Sequence, residues 1–235
     1  MIGQFPWVAW ICRIVAVGVL LLGLAAQADI NEPFGLSTVV APEGPWWVTW
    51  RDLRSEIQSE KPIIAQCRAE PDFCTSPAAL RFIAIVDEGR QYEGLARIGH
   101  INRAINFSIR PVSTTAQRDI HTTWISPLAV LASGKGDCKQ YAILKYAVLS
   151  DIGFAPDDLR LIIVAVKSRQ ENHVVLAVRN AGRWLILDNR SLALIDSSEL
   201  YDYLPLYTLD YRGVRQFVLP FSPIISGSPC NGVIG

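Results

Sequence analysis

Apolar positions along this chain change period near its middle. In three segments before Gly153 they recur every three or four residues, and after Leu159 they alternate or run continuously between turns. Thr75-Ser76-Pro77 sets a hydroxyl cap ahead of a first-turn proline and predicts a helix through Leu80, Phe82, Ile83 and Val86. Leu95, Ile98, Ile101 and Ile105 predict a second, which ends before Arg110-Pro111 because the residue ahead of a proline leaves the helical region. A third runs from Asp137 to Asp151 with an apolar stripe of Tyr141, Leu144, Ala147 and Val148, and stops at Gly153. It is expected to be the most buried helix.

The later runs, Leu159 to Val166, His173 to Arg179 and Arg183 to Asp188, are expected strands of an antiparallel sheet, with Asn180-Ala181-Gly182 as a turn. Leu192 to Ile195 and Tyr211 to Leu219 add further strands. Asp29 to Pro45 is punctuated by Pro and Gly and is expected to be loop, leading into a core cluster of Trp46, Trp47 and Trp50. Helices followed by strands predict an α+β fold, a helical N-terminal lobe packed on an antiparallel sheet.

Composition narrows the function classes. Half of the 235 residues are hydrophobic, enough for a full core, and the formal net charge is zero with no run of Lys or Arg. That excludes the electrostatic footprint nucleic-acid binding requires, so no nucleic-acid partner is expected. Arg13 precedes the apolar run Ile14 to Leu24, and Ala26 and Ala28 follow at cleavage-site spacing, so residues 1–28 are expected to be a signal peptide. A retained anchor is the alternative. Residues 29–221 then form one domain, and 222–235 a poorly ordered tail.

Export would remove Cys12 and place Cys67, Cys74, Cys138 and Cys230 in an oxidising compartment. Cys67 and Cys74 flank a short Pro71-containing segment that suits a local disulfide. Cys138 needs a different account. It follows Gly134-Lys135-Gly136-Asp137, and with Asp137 as cap it lies in the first turn of a helix, where orphan N–H groups and the helix dipole favour a thiolate. A buried structural cysteine is the competing expectation, and a partner base decides between them.

Of the three histidines, His100 lies on a polar-leaning helix and His121 precedes a Trp-containing loop, and both are expected to be surface or packing residues. His173 opens a strand. If the hairpin closes with Arg179 opposite Gly182, His173 lies directly across from Asp188, close enough for a carboxylate to orient the imidazole; moving the turn by one residue in either direction makes the pair diagonal and still allows contact. Cys138, His173 and Asp188 thus supply nucleophile, base and orienter. The Cys138 backbone N–H would meet the oxyanion, with the Trp124 indole as a second candidate donor.

Cys after Gly-Asp at a helix start, His at a strand start, and Leu187-Asp188-Asn189 after the next strand resemble the bacterial transglutaminase-like cysteine proteinases, and among them the LapG-like periplasmic proteases. The match runs from about Leu95 to Tyr211 and includes Trp124-Ile125-Ser126-Pro127, Asn172-His173-Val174-Val175-Leu176 and Tyr203-Leu204-Pro205-Leu206-Tyr207. The resemblance implies a papain-like or transglutaminase-like fold, a periplasmic location, and cleavage of a large surface adhesin with an effect on biofilm attachment, with an inner-membrane regulatory receptor as a partner. It also implies calcium dependence, with acidic residues on both sides of the nucleophile. Asp137 is one of them, but Lys139 stands where the second belongs, and an ammonium there repels Ca²⁺. Calcium is therefore expected to be weakly bound or absent, and the chemistry to need no cofactor.

The same triad also serves a protein-glutamine acyltransferase, and the fold serves as a non-catalytic binding module. Amine incorporation would distinguish the first, and failure of an alkylator to label Cys138 ahead of Cys230 the second.

Overall fold

The computed structural model describes residues 32–112 and 124–219. The expected signal peptide, Cys12, His121, Cys230 and the tail after 222 lie outside the described residues. Among the described residues no helix is long and apolar enough to cross a membrane.

Among the described residues, five α-helices pack on one face of a seven-stranded antiparallel sheet. The helices are α1 (Pro45–Ala69), α2 (Pro77–Arg90), α3 (Gly94–Ser108), α4 (Pro127–Ser133) and α5 (Cys138–Ile152). The sheet strands are β1 (Thr38–Val40), β4 (Leu159–Val166), β5 (Glu171–Asn180), β6 (Arg183–Leu187), β7 (Ile195–Asp196), β8 (Tyr203–Asp210) and β9 (Gly213–Phe217), in the order β1-β9-β8-β4-β5-β6-β7. A separate parallel pair joins β2 (Arg110–Pro111) to β3 (Lys135–Gly136). This is the expected α+β fold.

The helix-side core gathers Phe82, Ile98, Ile101, Ile105, Ile143, Leu144 and Val148 against Leu161, Ile163, Val174 and Leu176. Alternation along the strands sends Ile162, Val164, Val175, Ala177 and Ile186 into a second cluster on the other face, closed by Phe217 and Trp184. Both faces of β4 and β5 are buried, which explains their continuous apolar runs. Ser76 caps α2 by accepting from the Ala79 N–H, and Cys67 and Cys74 are disulfide-bonded, both as expected.

Several expectations are corrected. The segment expected as loop before the tryptophans contains β1, which pairs with β9 and forms one edge of the sheet. The tryptophans open α1, whose stripe Trp46, Trp50, Leu53, Ile57, Ile64 and Cys67 keeps helical spacing throughout, and Pro62 is tolerated on its exposed side. Trp50 is fully buried, its indole donating to the Asp210 carbonyl at 2.7 Å. The expected strand over Tyr211 to Leu219 is the second arm of a β8–β9 hairpin, with Tyr211 and Arg212 in its turn. The expected strand over Leu192 to Ile195 is two residues long and begins at Ile195.

The β5–β6 register also differs. Asn180 pairs with Arg183, so the turn is the two residues Ala181 and Gly182, both with positive φ (49° and 79°), as a tight hairpin of right-handed twist requires. Leu176 therefore faces Leu187, and His173 stands diagonal to Asp188 instead of directly opposite.

Candidate active site

Gly134 ends α4 in a left-handed conformation (φ 63°), its N–H bonded to the Val130 carbonyl, and the chain turns through β3 into α5. Gly136 is required for a different reason: a Cβ there would lie 2.7 Å from Cβ of Gln140. Gln140 belongs at that spot because its side chain accepts from the Asp137 N–H at 2.9 Å while Asp137 caps the helix, a reciprocal capping box. The loop is tied to the end of α3 by Arg110 N–H to the Gly134 carbonyl (2.9 Å) and Val112 N–H to the Gly136 carbonyl (3.0 Å). The buried Tyr141 hydroxyl donates to the Ile109 carbonyl at 2.7 Å, and burial pushes its pKa up to about 12. Cys138 is thus fixed at the first position of α5.

Glu60 extends this scaffold to α1. Its buried carboxylate accepts from the Leu128 N–H at the start of α4. Burial raises its pKa, although hydrogen bonds from Ser126 and Leu128 oppose the shift.

Cys138 meets β5 beside the histidine. Its Sγ accepts from the Val174 N–H at 3.3 Å, one residue beyond His173. The sulfur is disulfide-bonded in this structure, so the chemistry considered below is that of the reduced residue. The His173 ring is fully buried, and its Nε2 lies 2.8 Å from Asp188 Oδ1. Its Nδ1 is buried without a hydrogen-bond partner among the described residues. One ring nitrogen is thus committed to the carboxylate and the other is left for proton transfer.

Asp188 is held from every side. Oδ1 also accepts from the Arg190 N–H (2.9 Å), and Oδ2 accepts from the Tyr203 hydroxyl (2.5 Å). Burial would raise its pKa, but the charge of His173 and the hydrogen bonds from His173, Tyr203 and Arg190 reverse this and hold the carboxyl well below the usual range. Burial and the Asp188 charge raise the Tyr203 pKa in turn, so its hydroxyl stays a donor. Asn106 donates to the Asp188 carbonyl (2.9 Å), Asn102 and Asn106 both donate to the Ser191 carbonyl, and Arg190 pairs with Glu171 at 2.7 Å. These contacts pin the 188–191 loop to α3 and β5. A cleft of about 210 Å³ opens beside Asp188 and Tyr203, with Arg169, Arg190 and Asp202 on its walls.

Asn102, Asn106, Arg190 and Tyr203 were not foreseen as site residues. Only Tyr203 left a trace, within the Tyr203-Leu204-Pro205 motif. Trp124 is buried edge-on against Trp46, with ring centroids 6.1 Å apart, and Trp46 in turn contacts Tyr207. His100 stacks on Tyr92 at 4.5 Å on α3, in the packing role expected of it.

Lys139 is buried completely and places its Nζ 2.5 Å from Asp137 Oδ2, while its own N–H donates to Oδ1 at 3.0 Å. Both oxygens of the expected calcium ligand are therefore taken by Lys139. Among the described residues no group of three or more His, Cys, Asp or Glu is gathered to hold an ion.

The family model of the bacterial transglutaminase-like cysteine proteinases matches residues 59–207, well over half of the chain and all of this constellation. The chain belongs to that family. A bacterial transglutaminase-like cysteine proteinase is a cysteine peptidase, and the solved structures agree in fold. LapG of Legionella pneumophila aligns at a TM-score of 0.53 and 20% identity, over 68% of this chain and 87% of that one. Its calcium-bound form gives 0.52 and 21%, over 72% and 87%, and its EGTA-treated form 0.53 and 22%, over 68% and 85%. No curated protein matches this proteinase.

Proposed function

We propose that this cysteine peptidase is an endopeptidase whose triad is Cys138, His173 and Asp188. The observation that supports this most is the His173 ring, fixed through Nε2 on a carboxylate and open at Nδ1, with the Cys138 sulfur against the next residue's N–H. Reduced Cys138 passes its proton to Nδ1, and the thiolate attacks the peptide carbonyl carbon. Asp188 stabilises the imidazolium without taking its proton. The Cys138 N–H, at the positive end of α5, meets the oxyanion, with the Trp124 indole as second donor. The intermediate collapses as Nδ1 returns its proton to the leaving amine. Water, deprotonated by His173, then hydrolyses the thioester and restores Cys138.

The N-terminal pattern of Arg13, the apolar run and Ala26-x-Ala28 supports export to the periplasm. The sequence resemblance supports a large surface adhesin as substrate, an effect on biofilm attachment and an inner-membrane receptor as regulator. Incubating the reduced mature protein with adhesin fragments and a primary amine tests these assignments. New termini analysed by mass spectrometry indicate hydrolysis, and amine-modified glutamine indicates acyl transfer. Fragments that stay whole overturn the adhesin assignment.

A further inference from the structure

Asp137 presents a difficulty for the chemistry just described. Its carboxylate is almost buried, with a side chain 9% exposed, and it directly precedes the nucleophile. Negative charge develops at the sulfur and at the carbonyl oxygen during the reaction, and an uncompensated carboxylate beside both opposes it. A buried carboxylate without a partner also costs stability. Asp137 is nevertheless needed, because it caps the helix that presents Cys138. A cation beside Asp137 resolves the conflict.

We propose that the Lys139 ammonium is that cation, built into the chain, and that it takes the place a divalent ion would otherwise fill beside the nucleophile. The side chain is fully buried, which is rare for a lysine without a partner, and its Nζ bonds Asp137 Oδ2 while its N–H bonds Oδ1. One residue thus contributes its N–H to Oδ1 and its Nζ to Oδ2, so a positive charge already stands on the carboxylate where a divalent ion would bind. Ca²⁺ needs six to eight oxygens at about 2.3–2.6 Å, and a fixed ammonium on one of them repels the ion. The related LapG has been solved both calcium-bound and EGTA-treated. Lys139 is a positioning residue: it acts through Asp137 and touches no reacting atom. This inference rests on Cys138 being the nucleophile.

Calorimetric titration of CaCl₂ into the reduced wild-type protein and into Lys139→Glu, alongside peptide-cleavage rates in excess EGTA and in Ca²⁺, tests it. The wild type is expected to give no saturable heat and the same rate in both media. Lys139→Glu is expected to bind Ca²⁺, lose at least about tenfold in rate in EGTA and recover when Ca²⁺ is added, a rescue that a merely structural lysine would not produce. Lys139→Met, similar in length but uncharged, is expected to lose rate in both media while melting as a folded protein. Saturable Ca²⁺ binding by the wild type with loss of activity in EGTA overturns the proposal, as does full activity of either variant in EGTA or a folded Lys139→Glu that Ca²⁺ fails to rescue. If Lys139→Glu does not fold, the wild-type titration decides. If no variant and no wild type cleaves peptide, the peptidase assignment fails, and the calorimetry still decides this one.

Discussion

His173 and Asp188 stand diagonally across the β5–β6 hairpin, and Nε2 meets Oδ1 at 2.8 Å because Asp188 lies one residue beyond the last residue of β6. A directly opposed pair would be held by the ladder itself. Here the carboxylate leaves the strand and is held by the Tyr203 hydroxyl and the Arg190 N–H, while the α3 asparagines fix the backbone carbonyls of Asp188 and Ser191.

Asp188→Asn tests the orienting role. The amide matches the carboxylate in size but cannot stabilise an imidazolium, so kcat is expected to fall on the order of 10²–10⁴-fold with little change in KM. Steady-state kinetics on a cleaved peptide measure it. An unchanged kcat would remove Asp188 from the triad.

Tyr203→Phe deletes one of the hydrogen bonds that hold Asp188 and leaves the ring against His173 at 6.0 Å. A hydrogen bond to a charged group contributes about 1.5–3 kcal/mol, so kcat is expected to drop by roughly tenfold to a hundredfold, less than for Asp188→Asn. The double variant should cost little more than Asp188→Asn alone, because both substitutions act through one carboxylate.

Much of this site was legible in the sequence, and the unread parts share a cause. Asp137, Cys138, Gly153 and the α5 stripe were readable because caps and helical periodicity are local. The His173–Asp188 pairing was readable up to the register of one turn, where the positive φ of Ala181 decided the outcome. The α1 stripe is equally periodic, but it opens on three tryptophans whose burial their size alone predicts, and that reading leaves the helical spacing after them unused. β1 was hidden because a three-residue edge strand gets its identity from β9, far away in sequence. Asn102 and Asn106 look like polar interruptions of an apolar helix until the loop they hold comes into view.

Lys145 makes a stability prediction separate from catalysis. Two turns along α5 from Cys138, it is fully buried, and its Nζ has no hydrogen-bond partner among the described residues. Burial lowers its pKa to about 7, despite the opposing charge of Asp188. The unfolded chain keeps this lysine protonated up to about 10.4, so between about pH 7 and that value it binds more protons than the folded chain. The contribution of Lys145 to stability therefore rises with pH across that window, and its penalty is largest at and below pH 7. Lys145→Met should stabilise the protein by on the order of a few kcal/mol at pH 7, with the gain shrinking towards pH 10. Urea unfolding of both proteins at pH 7, 8 and 9 measures the slope, and a gain independent of pH would contradict this account.

The most direct test of the triad is cleavage of a proteome-derived peptide library by the reduced wild type and by Cys138→Ala, with new N-termini identified by mass spectrometry. The account expects a defined set of new termini from the wild type. It expects none from Cys138→Ala at the same melting temperature. Cleavage at the same sites by Cys138→Ala would contradict it, and so would a reduced, folded wild type that produces no new termini.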